Sequence, residues 1–508
     1  CLLFALLIFS QTLALAESAT QEKVRYGEPY SYGIALEEAF TERSLTTIED
    51  GKPVTVVAVS TAADTIVQVI DLNEEKIIRS FHVETGGGTY GYMYYGTVDT
   101  QGVVYMGLGR HLVIYDPQEK QVRKLGEAPT VRSGIIQGMT VDLETGILYG
   151  AVSGAANLFQ YNPADNQITT LCSLSPECNG TSYAAQLGDF VYTGGGYAGA
   201  AGGGTHLYRV NKHNGTKEAL PDPTSQKVSG VGYIYAGGKY IFSQMTLTDG
   251  TTNMFIWNTQ TQSWEEKTFR IHTSGMTDLD DEGRYWFLWD GYFHTIDTES
   301  LEITDYPEFT YGSHLRGNGM FVELDDPALP GKSFVTAQYN GNIYVFNPAT
   351  QQTKQVNVIL EGGGIANRIS RMEEDGRIYV SGFKGSKGAA LDPQTGEIEY
   401  FAEDQGEGQT SADGKVYIGY YSGAKIIELD TTRPYSLSMG DKNSDGNPKL
   451  ICDLSPWDQD RPFGMDVAGN YLLVGTLPKA GTLGGALTVI DLATYEFDVY
   501  RNLIEDQA

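Results

Sequence analysis

The chain has 508 residues, enough for two or three ordinary domains or for one large repetitive domain. Apolar residues make up 41% of it, and 61 glycines and 33 tyrosines indicate many turns and strands. The 64 acidic residues against 35 basic ones give a net charge of −29, which excludes nucleic acid and anionic membranes as partners of the surface as a whole. An anionic ligand would need a local basic pocket.

The chain begins with an apolar segment, CLLFALLIFSQTLALAES, that ends in small residues before Glu17. This pattern is typical of a secretory signal peptide, which we predict over residues 1–16. A transmembrane anchor is the alternative, but the segment is short for one. We therefore expect a secreted protein, extracellular or periplasmic, with no membrane span after cleavage. Because no Met precedes the segment, we expect the sequence to be incomplete at this end.

The organising feature is a repeat in which an apolar strand ends at an Asp or Asn turn and another strand follows. The ten turn residues are Asp71, Asp116, Asn162, Asn211, Asn258, Asp297, Asn347, Asp392, Asp430 and Asp491. From the second onward, each is preceded by an Asp/Gly turn that enters an alternating strand, as in EDGRIYVSG and ADGKVYIGY. Four short antiparallel strands in every unit of about 40–50 residues are typical of a β-propeller blade.

The sequence therefore predicts an all-β protein, a β-propeller of four-stranded antiparallel blades, with about ten repeats over residues 53–503. Residues 17–52 form a lead-in whose segment YGIALEEAF (32–40) is a weak candidate first strand, and residues 504–508 form the C-terminal end. Most propellers have roughly four to eight blades. A ring of seven to ten blades, two smaller propellers and a fragment of a longer array all stay open. The last unit ends on a fourth strand, so we expect an incomplete ring. No Pro/Ser-rich linker divides the repeats, which argues against two independent propellers.

Three cysteines follow the predicted signal peptide. Cys172 and Cys178 lie in one short loop, LCSLSPECNG, where export would permit a disulfide; two free thiols are the alternative. Cys452 is then an odd cysteine that we expect to be buried. No CxxC or Cys/His spacing indicates zinc.

The inter-blade loops, which join the fourth strand of one blade to the first strand of the next, open at the mouth of the central channel of a propeller. Nine such loops are predicted, and acids are scarce in most of them. Their basic residues are Arg132, Lys227, His272, His314, Arg316, Arg368, Arg371 and Arg461. In a chain of net charge −29, this segregation predicts a basic funnel for a carboxylated or sulfated ligand. The alternative is that these side chains tie neighbouring blades together.

The last unit, DQDRPFGMDVAGNYLLVGTLPKAGTLGGALTVIDL, is similar to a blade that recurs in large secreted bacterial repeat proteins. With the other units, it makes the chain resemble the WD40-like and quinoprotein-like β-propeller superfamily, in its secreted bacterial branch. The resemblance implies fold and export but no reaction. The tryptophan-docking pattern of quinoprotein dehydrogenases and a vicinal cysteine pair are absent, so we expect no quinone, and no nucleotide or haem either.

The sequence thus predicts a monomeric secreted propeller that binds an anionic polysaccharide, uronate-containing or sulfated, at the funnel. If it is an enzyme, β-elimination fits best, through a fold-level resemblance to propeller polysaccharide lyases such as oligogalacturonate and ulvan lyases. A cation would neutralise the uronate carboxylate while a His or Tyr abstracts the C5 proton. The catalytic candidates are His314, Arg316, His272 and Tyr311, and the ligand-binding candidates are Tyr92, Arg132, Lys227, Arg368, Arg371 and Arg461. A non-catalytic extracellular scaffold for a protein or cell-wall polymer is the alternative.

The stretch DKNSDGN (441–447) has the beginning of a calcium-binding loop. Its ligand candidates are Asp441, Asn443, Asp445 and Asn447. The twelfth position, a Glu in an EF-hand, is Cys452 here, and no flanking helices are predicted. We expect an isolated calcium loop, with a solvated turn rich in Asp and Asn as the alternative.

Overall fold

A computed structural model describes residues 31–37, 39–61, 63–87, 91–131, 134–174, 180–195, 205–272, 275–310, 315–338, 341–372, 374–384, 387–479 and 482–503. The predicted signal peptide, Cys178 and residues 504–508 lie outside these ranges. The chain divides into two compact units, Cys1–Gly33 and Ile34–Ala508. The fold below is that of the second unit.

The described residues form 39 β-strands and one 3-10 helical turn, Ser455–Trp457. The first three sheets contain β1 Ser44–Glu49, β2 Lys52–Ser60, β3 Thr65–Asp71, β4 Lys76–Val83, β5 Met93–Val98, β6 Val104–Leu108, β7 His111–Asp116, β8 Gln121–Glu127, β9 Ile136–Val141, β10 Leu148–Val152, β11 Asn157–Asn162 and β12 Gln167–Ser173. Nowhere in these ranges is there a helix with the length and apolarity needed to cross a bilayer.

The next four sheets contain β13 Thr181–Leu187, β14 Phe190–Gly195, β15 Leu207–Asn211, β16 Lys217–Ala219, β17 Val228–Gly237, β18 Tyr240–Leu247, β19 Thr252–Asn258, β20 Ser263–Phe269, β21 Arg284–Trp289, β22 Tyr292–Asp297, β23 Ile303–Thr310, β24 Leu315–Glu323, β25 Lys332–Gln338, β26 Ile343–Asn347 and β27 Gln352–Val356. The last three contain β28 Ile365–Arg371, β29 Ile378–Phe383, β30 Lys387–Leu391, β31 Ile398–Ala402, β32 Gln405–Ala412, β33 Lys415–Tyr421, β34 Lys425–Asp430, β35 Lys449–Asp453, β36 Gln459–Ala468, β37 Tyr471–Pro478, β38 Ala486–Asp491 and β39 Phe497–Arg501.

Each sheet is an antiparallel meander whose strands follow chain order, which confirms the predicted all-β fold of about ten blade-like repeats. Nine sheets have four strands. The sixth has three, β21 to β23, and a single bridge between Met276 and Phe287 stands where its first strand would be. Nine of the ten predicted turn residues fall at the end of the third strand of a sheet or directly after it. The tenth, Asp297, ends β22, which takes the place of a third strand if the bridge at Met276 stands for the first.

The candidate first strand at 32–40 is not a strand in its described residues, and the first sheet begins at Ser44 instead. Asp50 and Gly51 both have positive φ, 50° and 79°, and form a tight turn between β1 and β2. Such a two-residue hairpin pairs the segments directly on either side of it. The sequence TTIEDGKPV therefore places the first strand closer to the turn than 32–40.

Sheets one to seven, residues 44–356, pack in a closed cycle that we call the seven-sheet ring. An apolar cluster fills each junction between consecutive sheets. A seventh cluster joins the last sheet to the first, with Val335 and Val345 packed against Val57 and Ile70. At the same junction β1 packs against β24 and β25, and Ala337 N–H donates to Ser44 Oγ over 2.9 Å. Side-chain packing therefore runs from sheet to sheet through all seven and from the seventh back to the first.

Sheets eight to ten, residues 365–501, form a separate three-sheet series with apolar clusters at its two junctions. Residues 357–364 lead from the ring to this series. Val358 and Leu360 are buried against the first and seventh sheets, and Glu361 exchanges two backbone–side-chain hydrogen bonds with Gln68, 2.7 and 3.0 Å long. The ten sheets thus pack as a group of seven and a group of three, joined by a segment that contains no Pro or Ser.

The middle strands of the ring are buried on both faces, as the continuous burial of β6 and β7 shows. Outer strands such as β8 and β12 are half-buried to exposed. First strands of successive sheets, such as β5, β9 and β13, pack against one another. In the four-stranded sheets of the ring, the first strand therefore lies on the inner side and the fourth on the outside, as in a propeller.

The cysteine expectations have different outcomes. Cys452 is buried, as expected, and burial raises the pKa of its thiol to about 12. Cys172 is half-buried, but Cys178 lies outside the described residues. The disulfide between them stays a prediction.

The junction of the eighth and ninth sheets buries a carboxyl group. Glu403 is 4% exposed, and neither of its oxygens is in hydrogen-bonding geometry with a described partner. Burial raises the pKa of Glu403 well above its usual range, and the nearby Ser381 hydroxyl offsets this only in part. Glu403 is therefore protonated in the folded protein at pH values where an exposed glutamate is ionised.

We expect stability to fall as pH rises, through Glu403. Below about pH 4.3 the unfolded chain also holds this proton, so Glu403 contributes no pH dependence there. Above it, the unfolded chain releases the proton while the folded chain keeps it, at a cost of about 1.4 kcal/mol per pH unit. Glu403→Gln should match the parent near pH 4 in denaturant unfolding and be more stable near pH 8. The exposed Glu397→Gln is the control, and parallel pH profiles for parent and Glu403→Gln would contradict the assignment.

Candidate ligand-binding site

Several predicted site residues lie beyond what the structure describes. Arg132, Tyr311 and His314 fall outside the described ranges. Of Arg316 only the backbone is described, in β24, where it pairs with Ala337. The roles predicted for these four residues stay predictions.

Arg368 and Arg461 lie in the first strands β28 and β36, and not in loops as predicted. Arg461 forms a salt bridge with Glu407, which is 1% exposed, and its guanidinium lies 4.3 Å from the centroid of the Tyr421 ring. Arg368 Nε donates to the carbonyl of Glu407, and its guanidinium lies 5.8 Å from the Phe463 ring. Burial raises the pKa of Glu407, against the opposing effect of Gln405 and the two arginines. Both arginines therefore tie neighbouring sheets together.

The predicted basic residues belong to two different arrays. Arg371 is exposed at the end of β28, so it lies with Arg368 and Arg461 in the three-sheet series. Lys227 and His272 lie in the seven-sheet ring. A pattern read along the chain cannot separate the two groups, because the division depends on which sheets pack together.

Tyr92 is 5% exposed and packs inside the protein. Its ring lies 5.3 Å from the Phe40 ring and 5.8 Å from the Tyr94 ring, and Lys384 Nζ lies 5.8 Å from its centroid. Lys384 also pairs with Glu42, so Tyr92 lies where the segment before β1 meets the eighth sheet. This environment leaves little of its ring accessible to a ligand.

Lys227 and His272 both lie at the edge of the fifth sheet. Lys227 is exposed, and its carbonyl accepts from Thr248 N–H, 3.0 Å away, in the turn between β18 and β19. His272 follows β20, and its N–H donates to the carbonyl of Leu288 in the sixth sheet over 2.6 Å. Lys227 thus lies beside the connection between the second and third strands of this sheet, and His272 lies beside the sixth sheet.

A pocket of about 270 Å³ opens between the fifth and sixth sheets. Its lining includes Ile271, the residue before His272 in the sequence. Gln244 contributes from β18, Thr252 and Asn253 contribute from β19, and residues 250 and 251 contribute from the connection between these strands. Arg270 and Ile271 contribute from the inter-blade loop after β20, and Trp289 from the end of β21. The wall is therefore built by one inter-blade loop and the strand ends beside it.

Arg270 and Trp289 give this pocket its chemistry. The Arg270 guanidinium lies 5.6 Å from the Trp289 ring centroid, a cation–π arrangement, and its Nε donates to Asn253 Oδ1 over 3.3 Å. Arg270 is exposed and pairs with no carboxylate in the part of the chain that is described. The pocket thus presents a cation, an aromatic face, and the amides of Asn253 and Gln244.

The residues that form this pocket lie mostly outside the nine predicted inter-blade loops. Arg270 lies one position before the predicted loop IHTSGMTD. The polar run TDGTTN (248–253) and the dipeptide Trp289-Asp290 lie at the connections between second and third strands, which open at the same end of a propeller. Combining both kinds of connection would have brought Arg270, Asn253 and Trp289 together.

Arg43 and a group of tyrosines fill the inner side of the ring. The side chain leaves the segment before β1, and its Nη2 donates to Tyr183 OH and Tyr233 OH over 3.5 and 3.3 Å. Its guanidinium also lies 5.7 Å from the Tyr95 ring centroid. Burial acts to lower the pKa of Arg43, but the surrounding tyrosine hydroxyls, Tyr233 first, raise it overall. First strands of the second, fourth and fifth sheets thus converge on one cation that no sequence pattern indicated.

The predicted calcium loop does not bring all four ligand candidates together. Asn447 is buried, where its Nδ2 donates to the carbonyl of Asp430 and its Oδ1 accepts from Asp430 N–H, both over 2.8 Å. Asp441, Asn443 and Asp445 are exposed, and Asp441 Oδ1 accepts from Asn443 N–H over 2.9 Å. Nowhere among the described residues do three or more His, Cys, Asp or Glu side chains form a group that could hold a metal. Asn447 is thus a structural residue of the turn.

No protein-family model matches the sequence, and no curated protein matches it. Among solved structures, the chain is similar to PorZ, an essential bacterial surface component of the type-IX secretion system of Porphyromonas gingivalis. The two are 12% identical with a TM-score of 0.45, over 92% of this chain and 60% of PorZ. The chain thus spans about 60% of the length of that protein.

The chain is also similar to the extracellular domain of a putative hybrid two-component system of B. thetaiotaomicron, at 13% identity and a TM-score of 0.27, over 96% of this chain and 73% of that one. A third similar structure is dihydro-heme d1 dehydrogenase NirN, at 13% identity and a TM-score of 0.36, over 80% of this chain and 74% of that one. Likenesses this remote carry no function across. The chain is an all-β protein built from ten propeller-type sheets.

Proposed function

We propose that the seven-sheet ring binds an anionic glycan in the pocket between its fifth and sixth sheets. The observation that carries the proposal is Arg270, an exposed cation held beside an aromatic ring with no carboxylate partner in the described residues. In a chain of net charge −29, a cation in a pocket finds acidic neighbours easily. One left without them is suited to accept a carboxylate or sulfate from a ligand.

The other groups in the pocket suit a sugar. The half-exposed Trp289 ring offers a flat apolar surface for the C–H face of a pyranose, and Asn253 and Gln244 offer amide donors and acceptors for hydroxyls. A volume of about 270 Å³ lies just below the usual range for small-molecule pockets, about 300–1,000 Å³. That size suits one sugar residue of a larger chain better than a whole oligosaccharide.

The place of action follows from the sequence. The predicted signal peptide and the resemblance to secreted bacterial propellers support an extracellular or periplasmic protein, where polysaccharide ligands are met. The acidic surface would keep anionic polymers at a distance except at a local cation. A non-catalytic scaffold for a protein or cell-wall polymer is the competing proposal, and it does not require Arg270.

Removing the Arg270 cation should weaken the binding of acidic sugars. We expect Arg270→Ala to raise the Kd for uronate oligosaccharides about tenfold or more, because a hydrogen bond to a charged group contributes about 1.5–3 kcal/mol. Trp289→Ala should weaken the binding of acidic and of neutral oligosaccharides to a similar extent. Isothermal titration calorimetry with oligogalacturonate, a sulfated oligosaccharide and a neutral glucan measures both effects. Arg123→Ala, on the outer strand β8 with 53% of its side chain exposed, is the matched control. Unchanged affinity in both pocket variants would rule out this site.

We expect binding without cleavage. β-Elimination needs a base close to the neutralised carboxylate, and the described residues that line the pocket include no His, Tyr, Lys, Asp or Glu. Incubation with polygalacturonate should give no rise in the ultraviolet absorbance of unsaturated uronates. A rise that Arg270→Ala and His272→Ala both slow would instead make the protein a lyase with His272 as a catalytic residue.

Calcium remains a second proposal, with Asp441, Asn443 and Asp445 as ligand candidates and Asn447 as the residue that fixes the turn. We expect Ca²⁺ to raise the Tm and a chelator to cancel the rise, because a ligand that binds only the folded state stabilises it. Asp445→Asn should abolish the response while leaving the Tm without calcium close to that of the parent. A Tm indifferent to both Ca²⁺ and chelator would exclude the site.

A further inference from the structure

The tenth sheet has one buried face and one open face. In the ninth sheet, the interiors of β33 and β34 are buried without interruption. In the tenth, β37 and β38 alternate between buried and half-buried residues. The buried set, which includes Leu472, Val474 and Ile490, packs on the ninth sheet. The alternate set forms the other surface, which we call the open face.

A pair of glycines in the ninth sheet shows how such a face is covered within this array. Gly408 of β32 and Gly419 of β33 are direct partners in the ladder. A Cβ added to Gly419 would lie 2.6 Å from Pro462 Cγ and 2.9 Å from Met465 Sδ, both from β36 of the tenth sheet. Glycine is needed there because the first strand of the following sheet approaches the backbone directly.

The tenth sheet carries the same pair at the same place. Gly464 of β36 and Gly475 of β37 are direct ladder partners, one position from the pair Met465 and Val474. A Cβ added to Gly475 would come no closer than 3.8 Å to any described atom, and one added to Gly464 no closer than 4.0 Å. Neither glycine has positive φ, so backbone conformation does not call for glycine at either position. The pair has the form of a receiving site, and no described residue enters it.

Apolar side chains surround this glycine pair on the open face. By strand alternation, Leu473, Leu487 and Val489 share the face with Gly475, and they are half-buried. Tyr471 and Tyr500 lie on the same face, 48% and 47% exposed. Two carboxylates on the edge strands share the face, Asp466 opposite Leu473 and Asp498 opposite Val489. The middle of the face is apolar, which suits a β-sheet and not a small ligand.

We propose that the open face of the tenth sheet binds the first strand of a further four-stranded sheet of the same repeat, in the way the ninth sheet binds β36. The first strand of that further sheet would place an apolar side chain over Gly464 and Gly475. Pro462 and Met465 of β36 do the same over Gly408 and Gly419 of the ninth sheet. This interface continues one that the three-sheet series already contains. A second copy of the chain is a poorer occupant, because two chains of net charge −29 repel each other.

The proposal can be tested by supplying the sheet. The probe is a chain in which residues 457–503 are repeated once after residue 503, so that a second copy of β36 follows the open face. Leu487→Cys in the original sheet reports access to the face through its rate of reaction with a maleimide. We expect the rate to fall about tenfold or more in the extended chain relative to the unextended one. Glu119→Cys, in an exposed turn of the second sheet, should react equally in both.

Three variants distinguish docking of the added sheet from mere lengthening of the chain. Gly475→Met should restore rapid labelling in the extended chain while leaving the Tm of the unextended chain unchanged, whereas Gly419→Met should lower that Tm because Pro462 and Met465 occupy the space. Replacing the repeated copies of Pro462 and Met465 by Gly and Ala should also restore labelling. Equal labelling of Leu487→Cys in all chains would overturn the proposal. So would a dimer of the unextended chain in sedimentation velocity with Leu487→Cys protected, which would make a second copy the occupant.

Discussion

The packing of the seventh sheet on the first is the contact on which the other positions in the ring depend. It is made by side chains, since the first and seventh sheets share no strand. Val335 and Val345 meet Val57 and Ile70, and the segment after the ring adds Val358 and Leu360 to the same cluster. Each junction of a closed ring can adjust only if the others do. The spacing of the fifth and sixth sheets, and so the width of the pocket at Arg270 and Trp289, is set in part by this distant seam.

Electrostatics separates two kinds of cation in this acidic protein. Most described cations have structural partners, as Arg461 has Glu407 and Lys212 has Asp142. Arg43 is held by tyrosines on the inner side of the ring, where it brings together strands from several sheets. Arg270 differs from these because its contacts are one amide oxygen and one aromatic face. This difference in partners, more than the number of basic residues in any segment, is the basis for proposing a binding role for Arg270.

The repeat could be predicted because its signals are local. Asp71 shows why, since its Oδ1 accepts from the N–H groups of Asn73 and Glu74 and so fixes the turn that ends β3. The same local signal predicts all ten turns. The strand before the Asp50-Gly51 turn is predicted at 32–40, whereas it is Ser44–Glu49 in the structure. The number of sheets in the ring and the pocket at Arg270 depend on contacts between residues far apart in sequence. Arg368 and Arg461 looked like candidates for a ligand because nothing near them in the sequence reveals that both meet Glu407.

The seam also imposes an order on folding. The hydrogen bond between Ala337 and Ser44 joins residues 293 positions apart, and no contact at this junction can form until the seventh sheet has been synthesised. Contacts of such sequence separation slow folding, because the entropy of closing the intervening chain is lost before they form. On the ribosome, the first sheet must therefore wait with Val57 and Ile70 uncovered while six sheets are added. In this nascent, open-ended ring, the uncovered apolar faces of the first and last sheets favour aggregation until the seam forms.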